Sequence, residues 1–215
     1  MGQVKAKKRG PRTRHPHYHW IGLFGILVPF LMLIFLMSAI SQAPWWSITD
    51  SSISRLAGTP GDEPYWSATG APAILLNGGL LICGALSIIF AIGMWGSDVF
   101  HTGLGKLGKT LYACSSVMLF SIGIFPLTSG APHYIVSYTL FVLAPISILL
   151  MGVSALMRDN HVDRALGILF VMLAWTGGIP FIVNWPWPGL AIPEMLAIIP
   201  QGMFSVIVGY ELMVG

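Results

Sequence analysis

The chain has 215 residues, 55% of them hydrophobic and only 9% charged, with a mean hydropathy of +0.76. A soluble domain carries about 25% charged residues, so this composition excludes a water-covered globule and points to a helical membrane protein. The formal net charge of +3 is concentrated at the start, where Lys5, Lys7, Lys8, Arg9, Arg12 and Arg14 supply six of the eleven Lys/Arg. Next to an apolar stretch, such a tail faces anionic lipid rather than nucleic acid, and residues 1–19 read as a disordered, cytoplasmic, topogenic segment.

Six apolar segments follow, near 20–40, 71–95, 109–126, 133–157, 163–183 and 190–212. Each approaches the length needed to cross hydrocarbon about 30 Å thick. The expected fold is all-α, a polytopic bundle of six transmembrane helices in one domain over 20–213. The first segment is long for a signal peptide and no clean small-x-small cleavage site follows it. His15, His17 and His19 just before it form a tract that could bind metal weakly or simply meet the bilayer surface. Lys106 and Lys109 join spans two and three, and Arg158 and Arg164 join spans four and five. With the tail, ten of the eleven basic residues share a side, and only Arg55 lies opposite. The positive-inside rule then places both termini in the cytoplasm of a cell with the protein in its cell membrane.

The first outer loop, 41–70, is the longest. Trp45, Trp46, Tyr65 and Trp66 read as interfacial anchors. Asp50 is expected to cap a short helix through Ser51–Leu56, with Ile53 and Leu56 turned to the membrane or the bundle, and the following Gly/Pro-rich stretch is a turn. The loop is expected to cross the outer mouth of the bundle. In the third outer loop, Trp185 and Trp187 either cover a cavity or mark the interface.

Spans two, four and six each enter with a proline in the first helical turn, where its missing N–H needs no partner. Aligning Pro72, Pro132 and Pro193 brings Ala73, His133 and Glu194 to one depth, a faint three-hairpin repeat. Pro29, Pro145 and Pro200 lie deeper and should kink their helices and free carbonyls. Gln201, beside Pro200, is the deepest amide.

The polar residues left on the weakly charged side carry the functional reading. Glu194 is favoured near a helix N-terminus, but a carboxylate in a span also suits a site residue, or an ion pair with Arg55. His133 titrates near neutrality and serves as an interfacial hydrogen-bonder, a base or a ligand. Asn77, beside Gly78 and Gly79, reads as helix glue or a ligand contact. A hydrolytic triad can be drawn from Ser129 or Ser51 with His133 and Asp50, but no G-x-S-x-G elbow supports it. No zinc motif occurs, and neither a metal nor a cofactor is expected. Cys83 and Cys114 sit in apolar segments as small core residues.

The segments SSISRLAG (51–58), LLNGGLLICGAL (75–86) and SIGIFPLTSGAPH (121–133), with Glu194 at the head of the last span, resemble the domain of unknown function 998 family of six-span prokaryotic membrane proteins. The resemblance implies that Asn77, Gly123, Pro126, His133 and Glu194 are recurring positions, and it implies no settled activity. The chain departs from the pattern at Met195, where a basic residue often follows the glutamate, so that Arg55 would have to complete any charge pair.

These residues define three expectations. The first is a membrane protein that binds or passes a small amphipath or lipid-like ligand through an outward-facing polar cavity, contacting Arg55, Asn77, Ser129, His133, Trp185 and Glu194. The second is an intramembrane enzyme acting on a lipid or isoprenoid-like substrate at the outer interface, using His133 with Glu194 or Asp50. The third is a structural protein without chemistry. Membrane lipids and a small amphipathic ligand are the expected partners, and nucleic acid is not.

Overall fold

The computed structural model describes residues 17–58, 70–97 and 99–214, with the backbone alone for 17–19. The basic tail, His15, Tyr65 and Trp66, and the side chains of His17 and His19, lie outside the described residues. Six long helices make up the rest: α1 (His17–Ser41), α2 (Ala71–Gly96), α3 (Gly103–Ile124), α4 (Ala131–Leu156), α5 (His161–Gly178) and α6 (Ala191–Val214). All six are long and apolar enough to span a membrane. Among the described residues there is no strand.

Helix starts follow from local chemistry. Pro72 and Pro132 occupy the first turns of α2 and α4. Thr102 accepts the Gly105 amide at 3.1 Å and Asn160 accepts the Val162 amide at 3.1 Å, so α3 and α5 begin with side-chain caps. The Thr102 cap corrects one boundary. The helix starts six residues before the expected 109, and Lys109 is a buried helical residue rather than a loop cation. Its ammonium reaches the Ser97 carbonyl at 3.1 Å at the C-terminal end of α2, where a cation complements the helix dipole. At the other extreme, α5 stops at Gly178, five residues short of the expected 183, and a 3-10 turn, Ile179–Phe181, follows it.

Each helix packs on the next in sequence and α6 returns to α1, which closes a ring. The α5–α6 seam is the thinnest, and α4 also reaches α6. Two seams depend on backbone approach at facing glycines. A Cβ on Gly209 would lie 2.6 Å from the Gly22 carbonyl oxygen, and a Cβ on Gly167 2.8 Å from that of Gly152. Small residues at these positions allow the van der Waals contact that drives association in lipid.

The connections α2–α3 and α4–α5 share one end of the ring. There Arg158 hydrogen-bonds His101 at 2.9 Å and pairs with Asp163 at 3.4 Å, tying the two connections together. This is the basic end. An aromatic cluster seals the bundle above it: Phe204 meets Phe170 at 4.9 Å, Tyr112 at 5.5 Å and Phe100 at 6.3 Å between centroids. The opposite end carries the other three connections and is covered by residues 42–58.

Candidate functional site

The cover is made by the chain folding back on the head of α6. Trp46 Nε1 donates to the Ser52 carbonyl at 2.9 Å and shapes the turn. The amides of Gly189 and Ala191 donate to the carbonyls of Thr49 and Ser51 at 2.8 and 2.9 Å, stitching the last loop to the first. A Cβ at Gly189 would sit 2.5 Å from the Thr49 oxygen, so this approach requires glycine. A 3-10 turn, Ile53–Ala57, then dips inward with Ile53, Leu56 and Ala57 buried. At its head the Ile53 amide donates to Glu194 Oε2 at 2.5 Å.

Asp50 does not cap this turn, contrary to expectation. The residue at the cap position is Ser52, which makes no side-chain cap. The Asp50 carboxylate is exposed and turns back to accept from Ser47 Oγ at 2.7 Å and Thr49 Oγ1 at 2.8 Å. Short polar side chains compete for one another at such spacing. These hydroxyls hold the Asp50 carboxyl below the usual carboxylate range.

Beneath the cover lies a cavity of about 100 Å³ that is lined by all helices except α5. Its walls are mostly apolar, with Met32, Leu76, Leu80, Leu119, Leu140, Phe141 and Ile198 among them. Polar groups stand at two levels. Near the cover are His133 and Ser137 from α4 and Glu194 from α6. Deeper are Ser87 from α2, Tyr112 from α3, and Gln201 and Ser205 from α6. Eleven residues of α6 separate Glu194 from Ser205, a rise of about 16 Å.

His133 is only 2% exposed and its ring is fixed. Nδ1 lies 2.9 Å from the Phe125 carbonyl, which can only accept, so Nδ1 carries a proton. Nε2 lies 3.3 Å from the Ser137 hydroxyl. The backbone at Phe125 is available because α3 ends there, before Pro126, which lacks an amide.

The sequence-predicted residues divide. His133 and Glu194 face the same cavity. Arg55, on the turn that roofs it, does not line it and makes no ion pair with another described residue, so the charge pair with Glu194 is absent there. The turn reaches Glu194 through its first backbone amide instead. The Asn77 Oδ1 is buried without a hydrogen-bond partner and lies outside the cavity lining. Ser129 is exposed. Trp185 stacks on Trp187 at 5.3 Å and donates Nε1 to the Pro180 carbonyl at 2.8 Å. With the His133 ring engaged by Phe125 and Ser137, Asp50 and Ser129 at the surface, and Ser51 Oγ accepting the Ser47 amide, the hydrolytic triad is not assembled from either serine. Among the described residues no three His, Cys, Asp or Glu cluster as metal ligands.

Sequence reasoning missed Ser87, Tyr112, Ser137 and Ser205 as lining residues. Two of them carried a signal. Ser137 follows His133 by four residues and Ser205 follows Gln201 by four, spacings that share a helix face. Ser205 also explains a proline. Pro29 cannot donate to the Gly25 carbonyl one turn earlier, and Ser205 Oγ fills that place from α6 at 2.9 Å.

Six apolar helices closed around a partly polar cavity define a polytopic membrane protein of the helical-bundle class. The chain belongs to the DUF998 family, described as a protein of unknown function, whose family model matches residues 26–211. The matched span contains every cavity-lining residue. No curated protein and no solved structure matches the chain.

Proposed function

We propose that the protein binds, or passes, a small amphipath or the leading end of a lipid-like molecule in this cavity. The observation that carries the reading is that His133, Ser137 and Glu194 all line the covered side of a chamber whose walls are mostly apolar. A polar head placed among them keeps hydrogen bonds while its apolar part runs along Leu76, Leu140 and Ile198. A cavity of about 150 Å³ holds benzene, so the smaller volume here accepts roughly four or five non-hydrogen atoms, or the tip of a longer chain. Asp50 and Arg55, at and in the cover, act on access rather than on the bound molecule, and Trp185 and Trp187 brace the last loop.

In the orientation we propose, both termini are cytoplasmic and the covered end faces outward. The support is the charge distribution: Lys106, Arg158 and Arg164 are at the basic end, and Arg55 is opposite. The aromatic cluster around Phe204 packs the bundle toward the basic end, which favours binding over passage.

The test is photolabelling with a short aliphatic alcohol carrying a diazirine, followed by peptide mapping. Label is expected on Leu76, Leu140, Phe141 or Ile198, and it is expected to fall when His133→Ala and Glu194→Gln are combined in a protein that still unfolds cooperatively. Label confined to outward-facing residues such as Ile34 and Ile135, or unchanged by the double variant, overturns the reading.

A further inference from the structure

The deep end of the cavity has unmet hydrogen-bonding capacity. Ser87 and Tyr112 are 5% and 2% exposed. Their hydroxyls, and the Gln201 amide, make no hydrogen bond to another described residue. They are also not sealed in the way Asn77 Oδ1 and Trp187 Nε1 are, so the surface they retain opens on the cavity they line. Buried hydroxyls and amides are normally satisfied, and each exception calls for a partner. Ser205 beside them is already engaged, with its hydroxyl between the carbonyls of Gly25 at 2.9 Å and Gly202 at 3.0 Å.

The three groups come from three helices, α2, α3 and α6, and all line the deeper part of the cavity. Together they offer donors and acceptors: two hydroxyls that do both, an amide NH₂ and an amide carbonyl. No charged side chain lines this level; the cavity's only acidic residue, Glu194, is seven residues above Gln201 on α6, about 10 Å of rise. The nearby cation, Lys109, directs its ammonium to the Ser97 and Trp95 carbonyls. An ion here would be desolvated without a counter-charge, which is strongly unfavourable. A neutral group that both donates and accepts fits.

We infer that Ser87, Tyr112 and Gln201 form a second polar subsite that takes a neutral hydroxyl or amide terminus, so the ligand is a short unbranched chain polar at both ends. This rests on the binding reading above and names its ligand class. The mostly apolar lining, with Leu80, Leu140 and Ile198 in it, suits methylene groups. A chain of about three carbons with a polar atom at each end matches the roughly four or five non-hydrogen atoms that the cavity volume admits.

The experiment compares 1,3-propanediol with 1-propanol by saturation-transfer NMR on the purified full-length protein. Their relative affinity is read in wild type and in Ser87→Ala, Tyr112→Phe and Gln201→Leu. Comparing the ratio between variants cancels partition into detergent. Wild type is expected to prefer the diol, and each shape-conserving variant to cut that preference by about two- to tenfold, the worth of one hydrogen bond. Affinity for 1-propanol should fall in His133→Ala. If both alcohols bind and the ratio is the same in wild type and the deep variants, the deep groups hold water only; the subsite is then overturned while the cavity reading stands. If neither alcohol binds wild type, both fall together.

Discussion

The Ile53 amide and the Glu194 carboxylate, 141 positions apart in the chain, share one hydrogen bond of 2.5 Å at the roof of the cavity. It satisfies a donor at the head of a buried turn, and the turn's side chains then close the chamber. Glu194→Gln keeps an oxygen for that amide and is expected to leave stability nearly unchanged. Glu194→Ala leaves the amide buried and unpaired, at a cost of about 1–3 kcal/mol. Unfolding in mixed detergent micelles measures both, and an alanine variant as stable as the glutamine variant would remove the roof bond from the account.

Ser205 and Pro29 should be energetically coupled. Ser205→Ala strands the Gly25 carbonyl, and the cost expected for an interhelical hydrogen bond in a membrane is about 0.6 kcal/mol. In a Pro29→Ala background the restored amide of residue 29 can serve that carbonyl within α1. The same Ser205→Ala change is then expected to cost less, and a double-mutant cycle reads the difference. Equal costs in the two backgrounds contradict the assignment.

The glycine seams give a contrast between sites of one residue type. Gly209→Ala places a methyl 2.6 Å from the Gly22 oxygen and 3.1 Å from the Ile26 nitrogen, both backbone, so α1 and α6 must part. Overpacking of this kind costs about 1–3 kcal/mol. Gly78→Ala meets nothing within 4 Å and stands inside a helix, so the same substitution should stabilise by up to about 1 kcal/mol. Thermal midpoints moving in the same direction at both sites would refute the seam argument.

Asp50 makes the cover pH-sensitive. Bonds from Ser47 and then Thr49 lower its folded carboxyl below the ordinary value near 3.8. A depressed carboxyl contributes its stabilisation above the unfolded value and loses it as pH falls through the folded one. The turn around Ser47–Ser51 is therefore expected to loosen only in strongly acidic solution. Trp46, whose indole is held on Ser52, offers a fluorescence reading, and Asp50→Asn should abolish the transition.

The sequence made the six helices legible because each is an unbroken apolar run, and the turn-forming prolines located the heads of α2, α4 and α6 within two residues. Lys106 and Lys109 misled the start of α3, because charge was read as loop when a cap at Thr102 and a carbonyl partner for Lys109 made helix affordable in that position. At the site, His133 and Glu194 were visible as polar residues misplaced in apolar text. Ser87 and Tyr112 were not. A serine in a membrane helix commonly bonds within its own turn, as Ser147 does to Ala144 at 2.7 Å, a tyrosine commonly packs in the core, and nothing in one sequence separates these from the ones that face a cavity. Arg55 shows the converse: its charge drew attention, but the contact from its turn was made by a backbone amide, which no residue letter announces.

The return of α6 to α1 has a consequence for how the chain may be cut. Gly22 lies against Gly209 and Met213, so the start of the first helix and the end of the last run side by side at the basic end. The helical ring therefore has no privileged first member. A short linker from α6 to α1, with new ends opened at Asp159–Asn160, would leave all six seams, the roof bond and the chamber in place, and a circular permutant built this way is expected to insert and fold.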